Sequence, residues 1–209
     1  MAQMKVEYLV LGMVSTNCWL IQNTDTMELI FIDPADNAKE LIRHAERLEA
    51  KPAAILLTHG HFDHILAADE LRKHFDIPVY VQELDEEVLE DPALNLSGNW
   101  GTAYSMQADH QVKDKDELEI AGFRIRVLHT PGHTQGSCCY YFPDEQVLVS
   151  GDTLFAQSYG RVDFPTSSPA AMRSSIHRLL SELPEETAVL PGHEMTTSIA
   201  MEKRYNPLA

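Results

Sequence analysis

The stretch LLTHGHFDHILAADELRKHF, residues 56–75, begins as an apolar strand and ends as a helix. Between the two lie three histidines and one aspartate: His59, His61, Asp63 and His64. A solvated loop does not need so many metal-affine side chains, and an apolar core would exclude them. The pattern H-x-H-x-D-H directly after a buried strand therefore indicates a metal site.

Three later apolar strands run into the same kinds of residue. VLHTPGH leads to His133, VLVSGD leads to Asp152, and AVLPGH leads to His193. Glycine comes immediately before each of them, and glycine permits a sharp turn and a close backbone approach. If these strand ends lie side by side with the end of residues 53–58, their polar side chains converge on one rim.

Seven candidate ligands exceed what one tetrahedral ion uses, but they suit two divalent ions that share a carboxylate. The predicted ligands are His59, His61 and His133 for the first ion, Asp63, His64 and His193 for the second, and Asp152 as the bridge. Imidazole and carboxylate ligands suit zinc, which is our first expectation, and they also suit iron or manganese.

The hydrophobic pattern predicts strands and helices in two successive sets. In the first set, Ala38, Leu41, Ala45 and Leu48 share one helical face, and a single further helix is predicted from about His64 to Phe75. This order predicts an α/β fold with two mixed sheets packed face to face and helices on the outer faces.

The second set begins after the segment from Pro92 to Asp116, which lacks a clear period and is expected to be a loop. Further strands follow, and then a helix for which Ser168 is the natural N-cap and Pro169 the first residue. A last helix is predicted from about Thr196.

Length and composition predict one domain over residues 1–209. The partner expected for the predicted metal site is a small-molecule substrate. The net charge of -16, without a basic patch, argues against nucleic acid as a partner. No apolar run approaches the ~20 residues of a membrane span, and the amino terminus does not resemble a signal peptide. Three cysteines, an odd and low number, fit a reducing compartment, so we expect a cytoplasmic protein. The oligomeric state stays open.

The motifs THGHFDH, TPGHTQGS, SGDTLF and LPGHE resemble those of the metallo-β-lactamase-fold hydrolases, and the resemblance covers nearly the whole chain. It implies a four-layer αββα sandwich with the metal site at one edge of the paired sheets. The segments GRVDFP, residues 160–165, and EKRYNP, residues 202–207, are most similar to the short glyoxalase II-like thioester hydrolases.

Two features refine this resemblance. True zinc β-lactamases usually have a cysteine in place of Asp152 and lack the histidine found here at position 64, so β-lactamase activity is disfavoured. Full-length glyoxalase II enzymes carry an additional C-terminal helical domain that binds glutathione. Only 16 residues follow His193, so we expect no separate glutathione-binding domain, and the natural thiol stays open.

The resulting prediction is a dinuclear metal-dependent hydrolase that acts on a thioester through a hydroxide shared by the two ions. Asp63 is expected to be both a ligand and the catalytic residue that orients this hydroxide. Tyr159 and Arg161 are candidate substrate contacts, although Arg161 and Asp163 could equally pair with each other. The alternatives are a mono-iron enzyme similar to persulfide dioxygenases, another ester or lactone hydrolase of this fold, and an inactive metal-binding scaffold.

Overall fold

The computed structural model describes residues 2–209, and its framework is a pair of six-stranded sheets. The strands of the first sheet, in spatial order, are β1 (Met4–Leu11), β2 (Thr16–Asn23), β3 (Glu28–Ile32), β4 (Lys51–Leu56), β5 (Val79–Gln82) and β6 (His110–Val112). The first three strands pair antiparallel, and β3 to β6 pair parallel. This sheet is therefore mixed, as predicted.

The second sheet is also mixed. Its strands, in spatial order, are β14 (Thr197–Ser198), β13 (Ala188–Pro191), β10 (Val147–Gly151), β9 (Cys138–Phe142), β8 (Phe123–His129) and β7 (Glu117–Ile120). Only β10 and β13 pair parallel. A short hairpin of β11 (Leu154–Phe155) and β12 (Ser158–Tyr159) follows β10.

Helices cover the outer faces of both sheets. They are α1 (Ala38–Arg47), α2 (Phe62–Ile65), α3 (Ala68–Phe75), α4 (Glu86–Glu90), α5 (Pro169–Glu182) and α6 (Ile199–Tyr205), with 3-10 turns at Glu83–Asp85 and Ser97–Asn99. The longest, α5, has 14 residues, and none of the helices within residues 2–209 is long and apolar enough to cross a membrane.

Three apolar layers hold this arrangement together. Leu41 of α1 and Leu71 of α3 pack against the outer face of the first sheet, and Met172 of α5 packs against the outer face of the second. Between the sheets lies a core that includes Trp19 and Tyr140, both almost fully buried. The order helix, sheet, sheet, helix is the predicted αββα sandwich.

The adjacent cysteines follow the two-residue period of β9. Cys138 packs in the core between the sheets, and Cys139 packs in the layer beneath α5. Both side chains are buried and free, and burial raises the pKa of Cys139 to about 11. Their role is packing, in agreement with their alternation in the sequence.

The structure corrects three predicted elements. The single helix predicted from His64 to Phe75 is two helices, α2 and α3. The helical hydrogen bonds are interrupted because the Ala67 N–H donates to the Pro34 carbonyl oxygen. The segment expected to be a loop contains β6 and a 3-10 turn. The last helix begins at Ile199 rather than Thr196, because the Ser198 hydroxyl accepts from Met201 N and caps it.

Candidate metal centre

The predicted rim exists at one edge of the sandwich, but its strands do not lie side by side in one sheet. His59 follows β4 of the first sheet, whereas Asp152 and His193 follow β10 and β13 of the second. His133 lies in the loop after β8, which runs in the same direction as β10. The rim is therefore formed where the ends of the two facing sheets meet.

The first cluster consists of His59, His61 and His133, which the structure brings together as predicted. Each offers a ring nitrogen, and these atoms lie within 4.8 Å of one another. His61 Nδ1 and His133 Nε2 are 2.8 Å apart. Burial lowers the pKa of all three imidazoles, which favours the neutral form that binds metal ions.

The second cluster consists of Asp63, His64 and His193, also as predicted. Asp63 Oδ2 lies 3.5 Å from His64 Nε2 and 3.3 Å from His193 Nε2. The Thr16 hydroxyl donates to the same oxygen at 3.0 Å. Burial by itself would raise the pKa of Asp63, but the charges of His64 and His193 outweigh it and lower that pKa, so the carboxylate is ionised.

Asp152 lies between the two clusters. Its Oδ2 is 3.4 Å from His133 Nε2 and 3.5 Å from His193 Nε2, and its Oδ1 is 3.5 Å from His64 Nε2. One carboxylate thus approaches nitrogen atoms of both triads. This is the placement that a bridging ligand requires.

Several ligand atoms are buried and have no hydrogen-bonding partner among the described residues. They are His59 Nε2, His61 Nε2, His64 Nε2 and Asp152 Oδ1. A buried polar atom without a partner costs roughly 1–3 kcal/mol, so four of them in one place require an explanation. Nitrogen and carboxylate donors converging in this way fit one or two divalent transition-metal ions.

Hydrogen bonds on the far side of the rings aim the histidines inward. His64 Nδ1 donates to Asp33 Oδ2 at 2.9 Å, and His133 Nδ1 donates to the Arg161 carbonyl at 2.8 Å. His59 Nδ1 donates to the Thr58 hydroxyl at 3.1 Å, because that hydroxyl already donates to Asp33. The Nε2 atoms of His59 and His64 have no hydrogen-bonding partner within residues 2–209, and His133 Nε2 faces His61 Nδ1 within the first cluster, so these nitrogens are the ones that a metal ion would bind.

Asp33 is a site residue that the sequence interpretation missed. It is fully buried, and its side chain accepts from Thr58 N at 2.7 Å and from the Thr58 hydroxyl at 2.6 Å as well as from His64. Because both oxygens are already engaged, we assign it to orienting His64 rather than to metal binding. Asp33 directly follows β3, so the strand-end signal used for the other ligands also marks it.

Asp85 is a second missed residue, and it joins the two loops that carry the first triad. Its Oδ2 accepts from Gly60 N and from the Thr134 hydroxyl, and its Oδ1 accepts from Gly136 N, each at 2.8 Å. Burial raises the pKa of Asp85 to about 6. No sequence signal distinguishes it, because it lies in the acidic stretch ELDEEVLED.

A pocket of about 650 Å³ opens above the rim, and five of the seven candidate ligands line it. Tyr159 and Arg161 also line this pocket, as expected of candidate substrate contacts. Arg161 forms a two-pronged pair with Asp163, at 2.9 and 2.7 Å, and its guanidinium lies 4.1 Å from the centre of the Phe164 ring. The predicted pairing of Arg161 with Asp163 is thus present, and substrate contact by Tyr159 or Arg161 stays a prediction.

The αββα sandwich and the paired histidine–aspartate clusters define a metallohydrolase class of site. The chain belongs to the Metallo-beta-lactamase superfamily, whose sequence pattern it matches over residues 11–193. It is 36% identical to the probable metallo-hydrolase YqgX of Bacillus subtilis, over 98% of this chain and 97% of that protein. It is 32% identical to the hydroxyacylglutathione hydrolase GloC of Haemophilus influenzae, over 98% and 97% of the two chains. These relatives support a metal-dependent hydrolase.

Solved structures agree with the fold over nearly the whole chain. The B3 metallo-beta-lactamase BLEG-1 superposes with a TM-score of 0.92 at 42% identity, covering 97% of this chain and 98% of that one. TTHA1623, solved in a di-iron-bound form, superposes with a TM-score of 0.87 at 36% identity, covering 97% and 100%. The predicted fold and family resemblance are therefore confirmed.

Proposed function

We propose that this metal-dependent hydrolase holds two divalent ions and cleaves a thioester. The observation that carries the proposal is the convergence of two ligand triads on Asp152, with buried donor atoms that have no other partner. The proposed ligands are His59, His61 and His133 for one ion, Asp63, His64 and His193 for the other, and Asp152 for both. Such ions, when bound, lower the pKa of water and polarise a carbonyl group.

Within this proposal, Asp63 positions the attacking water. The Thr16 hydroxyl donates to its Oδ2 and fixes its position. A carboxylate that binds a metal ion is deprotonated, so Asp63 accepts a proton or a hydrogen bond and does not donate one. The water oxygen forms a bond to the carbonyl carbon, and the carbon–sulfur bond breaks. The thiol leaves with one proton, and the acid keeps the hydroxyl oxygen.

A thioester suits this site because a thiolate leaves without strong help from a general acid. Apart from the candidate ligands, Glu194 is the only carboxyl group among the residues that line the pocket. The named activity of GloC, a relative that covers the same length, supports a thioester substrate. Zinc remains our first expectation for the ions, and the di-iron form of TTHA1623 supports iron as well.

A second candidate function is β-lactam hydrolysis. The likeness to BLEG-1 favours it, although Asp152 and His64 argued against it in the sequence. The one-iron alternative is not favoured, because Asp152 approaches nitrogen atoms of both triads and TTHA1623 was solved in a di-iron-bound form.

Metal counting and a substrate panel test the proposal together. Purified protein loaded separately with zinc and with iron is expected to hold about two ions per chain and to release thiol from simple thioesters. A chromogenic β-lactam and a persulfide with oxygen monitoring are measured in parallel. One iron per chain with oxygen uptake, or cleavage of the β-lactam but no thioester, would overturn it.

A further inference from the structure

The wall of the pocket above the metal rim is apolar and open to solvent. Tyr8 and Val10 of β1 and Val14 of the following turn line one side, with exposures of 52%, 54% and 42%. Trp100, 58% exposed, also lines the pocket and stacks on Phe62 with ring centres 6.1 Å apart. Clustered, exposed large apolar side chains around a concave site are typical of a binding surface.

The position of β1 explains why this wall is exposed. β1 is the edge strand of the first sheet, and Tyr8 faces the same side as Trp19, with ring centres 4.9 Å apart. Trp19 belongs to the core between the sheets. The apolar surface therefore continues from that core, through Tyr8 on the edge strand, to the pocket that contains the metal rim.

Away from the proposed metal ions, the side chains of the pocket offer little positive charge to a substrate that carries carboxylates. Among the described residues that line it, Arg161 is the only lysine or arginine, and its guanidinium is already paired with Asp163. Glu194 lines the same pocket, and the whole chain carries a net charge of -16. A glutathione thioester would bring two carboxylates into a pocket with no free cationic side chain.

We propose that the wall formed by Tyr8, Val10, Val14 and Trp100 binds an aromatic or branched apolar group of a thioester that carries no carboxylate. This inference rests on the proposed function and specifies its substrate class. If one phenyl ring of the substrate moves from water onto this wall, kcat/KM is expected to be at least about tenfold higher than for the same thioester without the ring.

Matched neutral thioesters test this in the metal-loaded protein. S-Acetyl-N-acetylcysteamine is the reference, S-phenylacetyl-N-acetylcysteamine places a ring on the acyl side, and benzyl thioacetate places a ring on the thiol side. At least one aromatic compound is expected to exceed the reference at least tenfold in kcat/KM, and to exceed S-D-lactoylglutathione.

Surface variants locate the effect on the proposed wall. The double variant Val10→Ser with Val14→Ser is expected to bring the ratio of kcat/KM for the aromatic substrate to kcat/KM for the reference close to one, whereas Val6→Ser keeps the parental ratio. Val6→Ser is the matched control, since Val6 lies on the same face of β1, is 37% exposed and does not line the pocket. A non-hydrolysable phenethyl thioether of N-acetylcysteamine, followed by tryptophan fluorescence, should bind less tightly to the double variant than to Val6→Ser.

The outcomes separate the two proposals. If no thioester is cleaved, the proposed function fails, and the thioether titration alone then decides whether the wall binds apolar groups. If S-D-lactoylglutathione is cleaved best, the proposed function stands and the substrate class is wrong. If the double variant keeps the full aromatic preference and thioether affinity, the assignment of the wall is also wrong.

Discussion

Replacing Gly192 with alanine is expected to displace the shared carboxylate without unfolding the chain. A Cβ at this position would overlap Asp152 Oδ1 and come within 2.8 Å of His64 Cε1. The backbone cannot move away easily, because Gly192 N donates to Gly151 O at 2.9 Å and Gly192 O accepts from Asn17 N at 2.7 Å. The backbone of Gly192 is outside the left-handed region, so alanine itself adds no strain there.

The overlap sets the size of the effect. Restoring ordinary contact requires the carboxylate to move by roughly 1 Å, whereas metal–ligand distances tolerate only about ±0.2 Å. Loss of an outer hydrogen bond to a ligand already costs about 10–100-fold in metal affinity, so displacing a ligand of both ions should cost at least about 100-fold. This corresponds to about 2.7 kcal/mol.

Competition with chelators of graded strength, followed by metal counting, measures this loss. The metal-free Gly192→Ala protein should melt within a few degrees of the metal-free parent, which shows that the fold is kept. Gly98→Ala is the control, because its Cβ would meet only Pro92, with the nearest atom at 3.2 Å. A Gly192→Ala protein that binds two ions with parental affinity would refute the assignment of Asp152 as the bridge.

Three further substitutions probe the remaining parts of the structure. His61→Ala should lose at least one metal ion and thioester turnover, and unchanged metal content by elemental analysis would contradict the first triad. In Asp33→Asn, the amide nitrogen must face a hydrogen-bond donor of Thr58 or His64, which weakens the support of His64. Metal affinity, measured by chelator competition, should therefore fall about 10–100-fold. Asp36→Asn, at an exposed position, is the control. Ser168→Ala removes the N-cap of α5 and should lower the free energy of unfolding, measured by urea denaturation, by about 1 kcal/mol. Ser174→Ala, on the exposed face of the same helix, is the control and should leave it nearly unchanged.

The candidate ligands were predictable because each leaves a local signal. A histidine or aspartate within a few residues of the end of an apolar strand recurs four times in the sequence, at His59, His133, Asp152 and His193. Three of these ligands follow a glycine, and at Gly192 the structure shows why: a Cβ there would overlap the Asp152 carboxylate. The same signal marked Asp33, so its omission was a failure to apply the rule to every strand.

Other features depend on long-range contacts and leave no local mark. Asp85 is one acid among many in its stretch, and only the folding of two distant loops around it makes it special. The break after α2 results from a hydrogen bond between Ala67 and Pro34, which no helical period reveals. Tyr8 and Val10 alternate like any half-buried strand, and no local pattern shows that β1 is the edge strand beside the pocket.

The proposed centre also ties the two sheets together, because the ligands of each ion come from both of them. His59 and His61 follow the first sheet and His133 follows the second, and the hydrogen bonds of Asp85 also join these loops. Close to His193, the side chains of Asn17 and Trp19 in the first sheet donate to the Pro191 carbonyl in the second, at 3.0 and 2.9 Å. Because these contacts fix the register of the facing strand ends, the fold itself holds the donor atoms of the two sheets close together.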